Sequence, residues 1–361
     1  MADVILLTGI TGFLGGALAA RWAPRAASIS ALVRAATEEQ GRARVVESLS
    51  RFLAPGEAAD AARAMQVIVG DIGEEATFFD PRLDAVTHVV HAAACTSFGS
   101  TREVWRSNVV GTTLLAERLR RASRLRRFLH VSTAYCCGAQ PNRVVEEGDA
   151  PRPEHTHVNE YARTKAEAER RLLSMGPEMP LVIARPSIVI GHTSLGVEPS
   201  SSLFWYYRAL ASLGAGPFEL DARRDIVPVD YVAEALDFLC HLEAPRWGTY
   251  HVSAGVSGAV RVEEIVRSFG QRRAWRTVSP AELGELTADI SRLTGDATEA
   301  RGLSAGLVAC ARFGALGVDA FDNRRLLAEG FRAPPRFTDY LERCIETSAG
   351  KTIYEQLVDR V

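Results

Sequence analysis

The chain has no apolar run of the roughly 18 residues that a membrane-crossing helix needs. It also has almost no net charge: 42 Lys and Arg against 44 Asp and Glu leave −2 over 361 residues. That balance gives no electrostatic reason to expect nucleic acid or an anionic membrane as partner. The basic run from Arg118 to Arg127 is a local exception and reads as a solvated helix end beside a strand. The 6 cysteines (Cys95, Cys136, Cys137, Cys240, Cys310, Cys344) are scattered, and no two share C-x-x-C spacing. A disulfide scaffold and a Cys/His zinc site are therefore not expected, and metal ligands are expected to be none. The N-terminus reads directly as a strand with nothing like a signal segment ahead of it. Reduced thiols and no leader set the expectation of a cytoplasmic protein. No internal repeat and no low-complexity linker interrupts the chain.

What is present is concentrated at the N-terminus. Val4 to Leu7 read as a buried parallel strand, and Gly9, Gly12 and Gly15 follow at once. Gly16 to Trp22 then read as a helix. A glycine turn lets backbone approach a pyrophosphate, and the helix behind it offers free N–H groups and the positive end of its dipole. Strand, glycine turn and helix in that order point to a dinucleotide site.

Further strands are expected at Ile29–Val33, Met65–Val69, Ala85–Val90, Phe128–Val131 and Pro180–Ala184, with helices between them. Strand alternating with helix predicts an α/β fold, a Rossmann-type doubly wound parallel sheet. It occupies residues 1–192, with a return of strand and helix at about 225–255. Residues 193–361 lose the alternation and are expected to form a smaller, mostly helical, substrate-binding part. Pro55-Gly56 splits the helical stretch from Glu38 to Ala64, and Gln140 to Asn159 reads as a loop.

Arg34 closes the second strand, where an acid would hold the 2′-OH of NAD and an arginine accommodates the 2′-phosphate of NADP. Arg44 on the next helix is a candidate second clamp, so the expected cofactor is NADPH. Asp71, just past the third strand, is placed to accept from the adenine amino group or to cap the next helix. Small residues Ala92, Ala93 and Ala94 after the fourth strand let backbone approach the cofactor. His88 and His91 lack a third ligand and read as structural. Asn108 is unfavourable inside a helix and implies a buried side-chain bond.

Reduction of a carbonyl puts negative charge on oxygen, so a proton donor must lie within hydrogen-bond reach. Thr133 stands at the end of the fifth strand. Tyr161 and Lys165, four apart, share one face of the following helix. Tyr161 is the candidate acid, Lys165 its tuner and ribose anchor, and Thr133 the group that holds the carbonyl oxygen. A lysine ammonium and a positive nicotinamide ring should lower the phenol's pKa.

Thr8-Gly-Ile-Thr-Gly-Phe-Leu-Gly15, His91-Ala-Ala-Ala94, Ser132-Thr-Ala134, Tyr161-x-x-x-Lys165 and Arg185-Pro-Ser187 together resemble the extended short-chain dehydrogenase/reductases. That resemblance implies pyrophosphate contacts at Thr11, Gly12, Phe13 and Leu14, adenine contacts at Asp71 and Ile72, and nicotinamide contacts at Pro186, Ser187 and Ile188. Leu32-Val-Arg34 with Arg44, Val131-Ser-Thr-Ala-Tyr135 and Ile226-Val-Pro-Val-Asp-Tyr-Val232 resemble fatty acyl-CoA reductases and thioester reductase domains of carboxylic acid reductases and peptide synthetases. That group reduces a thioester, on CoA or an acyl or peptidyl carrier protein, to aldehyde or alcohol with NADPH. The aromatic stretch Phe204 to Tyr207 then reads equally as acyl pocket or as core. Two alternatives stay open: a nucleotide-sugar epimerase/dehydratase or hydroxysteroid-type alcohol dehydrogenase, for which Arg223, Arg224 and Arg261 are candidate ligand groups, and a non-catalytic dinucleotide sensor.

Overall fold

The structure is a computed structural model and describes residues 3–96, 101–139, 144–149, 151–200, 203–271, 274–286, 289, 297–314 and 316–353. Seven strands form one parallel sheet: β1 (Ile5–Thr8), β2 (Ile29–Val33), β3 (Gln66–Val69), β4 (His88–His91), β5 (Arg127–Val131), β6 (Leu181–Pro186) and β7 (Thr249–Val252). Their order across the sheet is β7-β6-β5-β4-β1-β2-β3. The chain runs out from β1 to β3, then restarts at β4 on β1's other side. That reversal is the switch point outside which ligands bind in open α/β sheets.

The strands read as continuous apolar runs because both sheet faces are covered. Alternate residues go to opposite sides. Ile5 and Leu7 pack with helices α1 (Phe13–Arg21), α2 (Glu38–Leu49) and α3 (Pro55–Ala64). Leu6, Leu32, Val89 and Phe128 face the other way, against Leu115, Ala116, Leu119 and Leu172. These belong to α5 (Thr112–Leu119) and α6 (Glu160–Leu173). A short helix α4 (Thr101–Trp105) leads into α5 through the π-turn Arg106–Gly111. Helix α7 (Phe204–Leu213) is the aromatic one, and α8 (Val229–His241) returns to the α1 side of the sheet.

A second core gathers α7 with the helices Val262–Ser268, Ala297–Gly314 and Phe337–Thr347. Within the stretch expected as a loop, Val144–Val145 is a short strand parallel to Ala320–Phe321. Two residues carry no readable period, which is why pattern alone leaves them as loop. Ile226–Val227 likewise pairs with Ile188–Val189, and α8 starts at Val229. Pro55 does begin a helix, α3, consistent with its fixed φ at a first helical position. Further along, helices run at Pro280–Glu285 and Ala297–Gly314, with 287–288 and 290–296 outside the described residues.

Two buried carboxylates stitch the C-terminal third to the sheet. Glu147 accepts from the N–H groups of His251 (2.9 Å) and Arg325 (2.7 Å). Asp225 accepts from Ala254 (2.7 Å) and Phe321 (2.9 Å). Burial pushes Glu147 from its usual 4.5 up to about 7 and Asp225 up to about 6. A carboxyl with a raised folded-state pKa stabilises the fold below its unfolded pKa and loses that contribution as pH rises through the folded one. Glu147→Gln should therefore lower the Tm less at about pH 8 than at about pH 5.5. Thermal melts at the two pH values check this; an equal or larger loss at the higher pH contradicts it.

Candidate active site

The site begins at the turn after β1. Gly9 has φ +78°, and a Cβ there would lie 2.6 Å from the backbone of Ala92 and Ala93. A Cβ on Gly15 would lie 2.1 Å from the Gly9 carbonyl oxygen. No side chain with a methyl or more fits, so the turn packs backbone on backbone. Gly12 is the residue before α1, and no side chain caps the helix there. No acid stands in its first turn. The N-terminus of α1 thus presents its N–H groups to the cleft, the arrangement that accepts an anion.

Beneath the turn, Thr8 and His91 fix the relative height of β1 and β4. Thr8 Oγ1 meets His91 Nδ1 at 2.7 Å and accepts from the Ala93 N–H at 3.1 Å. His91 Nε2 meets Thr112 Oγ1 at 2.8 Å. Burial pushes the imidazole down to about 3, so it is neutral and works as a polar strut. Asn108 lies in the π-turn with its amide bonded to the backbone of Cys95 and to Thr164 Oγ1 (3.0 Å). This is the buried bond its position implied, and it clamps the segment after β4 to α6.

One end of the cleft, about 270 Å³, is lined by Arg34, Arg44, Asp71, Ile72, Ala92, Ala93 and Ala94, with Gly9, Thr11 and Gly12. The Arg44 guanidinium bonds the Arg34 carbonyl, so both arginines stand on one wall. Arg34 is exposed, 3.9 Å from Asp71. Arg106 reaches the same carboxylate at 3.2 Å. Asp71 Oδ1 accepts from the Gly73 N–H (2.8 Å), closing a turn instead of capping a helix.

The other end, about 470 Å³, shares Gly9, Thr11, Gly12, Ala92 and Ala94 with the first. It adds Phe13, Leu14, Gly15, Ser132, Thr133, Tyr161, Lys165, Pro186 and Ser187. Ile188 is not among them: it gives its N–H to the Asp225 carbonyl and its side chain lines a separate aromatic cavity. Val189 takes the place in the cleft wall. Asn159 caps α6 through the Ala162 N–H (2.9 Å), which starts the helix one residue before Tyr161.

Lys165 is 2% exposed and donates to the Val131 carbonyl at 2.6 Å. Burial pulls it down to about 8 against the opposing field of Glu169. The expected lowering of the phenol is not produced by this chain's own groups. Burial pushes Tyr161 up to about 12, with the Cys136 thiol adding to it.

The cleft fits a dinucleotide on four counts. These are the glycine cradle that a Cβ would fill, the uncapped α1, the arginine pair at one end, and Ser132 Oγ at the other, buried with no hydrogen-bond partner among the described residues. Residues 7–236 match the model of an NAD-binding family described as male sterility protein. The chain belongs to that family. That family and the relatives of this chain are NAD(P)-dependent reductases of the short-chain dehydrogenase/reductase type. The chain is similar to the carboxylic acid reductase of Mycobacterium tuberculosis, 29% identical over 297 residues, 73% of this chain. The chain spans about 25% of that relative's length. It is similar too to fatty acyl-CoA reductase 1 of Xenopus laevis, 28% identical over 220 residues, 51% of this chain and 43% of that protein. Among solved structures, the terminal R domain from the myxalamid PKS-NRPS pathway superposes with TM-score 0.77 at 23% identity, covering 96% of this chain and 90% of that one. That likeness confirms the fold.

Three side chains of this family member's site were not singled out from sequence. Arg51 donates to the carbonyls of Thr11 (3.0 Å) and Gly12 (3.1 Å) and lines the cleft. Its spacing from the glycine turn gives no sequence signal. Glu169 and Arg185 form a fully buried pair behind Lys165. Their signal is Glu169's place one turn after Lys165 on the inward face.

Gly15→Ala should lower stability by about 2 kcal/mol or more, the usual cost of forcing atoms into a packed site. A denaturant melt checks it; a variant as stable as wild type shows that the turn relaxes.

Proposed function

We propose that this chain uses NADPH to reduce an acyl thioester, carried by CoA or by an acyl or peptidyl carrier protein, to an aldehyde or alcohol. The observation that carries the reading is the convergence of Thr133, Tyr161, Lys165 and Pro186 on the cleft that also holds the glycine turn. When bound, NADPH supplies the hydride. Thr11 to Gly15 and the start of α1 hold the pyrophosphate, Asp71 and Ile72 line the adenine end, and Pro186 and Ser187 flank the nicotinamide. Arg34 and Arg44 take the 2′-phosphate, whose oxygens a guanidinium fork matches two at a time.

Thr133 presents its hydroxyl to the thioester carbonyl oxygen. Tyr161 gives that oxygen its proton as negative charge builds there. Lys165, a cation buried in the same cleft wall, is the charge that would stabilise the phenolate once the bound substrate and cofactor are in place. Loss of thiol then frees the aldehyde. A residual positive charge in a water-poor wall is worth more than the same charge in solvent.

The part after residue 192 is the substrate-binding part in this reading. Phe204 to Tyr207 are all buried, and Tyr206 and Tyr207 face a small cavity of about 20 Å³ with Tyr135 and Ile188. Sugar-nucleotide binding gains no support from the three candidate arginines. Arg223 donates to the Ala259 carbonyl (3.3 Å), and Arg224 is buried against the Phe218 ring at 4.3 Å. Arg261 is exposed at the start of the helix Val262–Ser268.

Tyr161→Phe should cut kcat by about 10²–10⁴, the span of general acid catalysis, while changing NADPH affinity far less. Stopped-flow turnover beside fluorescence titration of NADPH checks it; a loss of binding that matches the loss of rate removes the acid role. Arg34→Ala should weaken NADPH by about tenfold to a hundredfold and NADH little, the worth of a charge-assisted hydrogen bond. Equal effects on both nucleotides would remove the case for phosphate recognition.

A further inference from the structure

The charge cluster behind Tyr161 takes no direct part in the reduction. Glu169 stands one helical turn after Lys165 on α6, and its side chain is 0% exposed. Opposite charges four apart on a helix are natural partners. Yet among the described residues Lys165 makes no ion pair, and its Nζ donates to the Val131 carbonyl. Glu169 is already engaged. Arg185 on β6 gives its carboxylate Nε at 3.0 Å and Nη2 at 2.7 Å. Cys136, in the turn after Thr133, adds its thiol at 3.2 Å. Arg185 is itself held by the Asp149 carbonyl at 3.0 Å, with its side chain 2% exposed.

We propose that Arg185 is a positioning residue: by holding both carboxylate oxygens of Glu169 it keeps that carboxylate from capturing Lys165, so that the ammonium faces Val131 and the cleft. This rests on the proposed reductase reading and names a further residue for the same site. A guanidinium fork satisfies two oxygens at once, where a lysine satisfies one as a point charge. The Arg185–Glu169 pair is neutral as a unit, so the net charge left behind the cleft is the single cation on Lys165. Without Arg185, a buried carboxylate one turn away has a strong reason to take Lys165, because an unpaired buried charge costs several kcal/mol.

The groups that face Lys165 come from every packed element. Tyr161 and Glu169 lie on α6, Cys136 after β5, and Arg185 on β6 acts through Glu169. His91 on β4 and His130 on β5 are held neutral by burial, with the Lys165 charge adding to it.

The chain has two lysines, Lys165 and Lys351, so [13C]lysine labelling gives two resonances and Lys351→Arg assigns them. In Arg185→Met the Lys165 titration should move up by about one unit or more as Glu169 pairs with it. At about pH 7, where Lys165 is protonated in all variants, kcat should nevertheless fall by about tenfold or more, because the ammonium has been drawn aside. Adding Glu169→Gln should return the titration toward wild type and recover most of the lost kcat. A double variant no more active than the single, or a Lys165 resonance that does not move up in Arg185→Met, overturns the proposal. Should Arg185→Met not fold, Arg185→Gln takes its place with the same signs expected. The resonances are read without substrate. A Lys165 that titrates as expected in a protein that reduces no thioester sinks the reductase reading and leaves the Arg185–Glu169–Lys165 coupling standing.

Discussion

Everything in the site hangs on one backbone contact, Gly9 against Ala92 and Ala93. It brings the turn after β1 and the end of β4 closer than side chains allow. The Thr8–His91–Thr112 hydroxyl and imidazole chain holds the two strands at that height from below. Because the imidazole is neutral, the strut adds no charge to a place built to receive an anion. The sheet order then does the rest, since β1 and β4 are the strands where connectivity reverses.

The two ends of the cleft differ in how they treat charge. At the β2 end the arginines are near solvent, where a cation is cheap to keep ionised but weak in its pull. At the β5 end Lys165 is buried, so its charge is costly but acts strongly. The protein meets that cost with a carbonyl acceptor and with a carboxylate kept one step away by a guanidinium. In the same wall burial raises the pKa of the Tyr161 phenol.

Much of this was legible in the sequence, for definable reasons. Strand, glycine turn and helix are local patterns, and β2 lies at Ile29–Val33 as its pattern predicts. Tyr161 and Lys165 could be placed on one face because helical spacing is fixed. Residues that act through distant partners were harder to see. Asn108 announced a buried bond by its poor helix propensity but not its partners, Cys95 and Thr164. Arg51 gave no sign, since its contact with Thr11 and Gly12 spans about 40 positions of chain. Ile188 was placed in the cleft by resemblance, but the Ile188–Val189 pairing with Ile226–Val227 sets which residue faces in, and it favours Val189. The upward push of burial on the Tyr161 phenol was not legible, because a residue pattern shows which side chains share a face and not how deep they lie.

The pairing of Val144–Val145 with Ala320–Phe321 has a mechanical meaning. It ties a stretch ahead of α6 to the chain that follows the helix Ala297–Gly314, with the Asp322 N–H donating to the Val145 carbonyl at 2.9 Å. Chain segments about 175 positions apart thus share two residues of ladder, and an insertion in either would unseat the other.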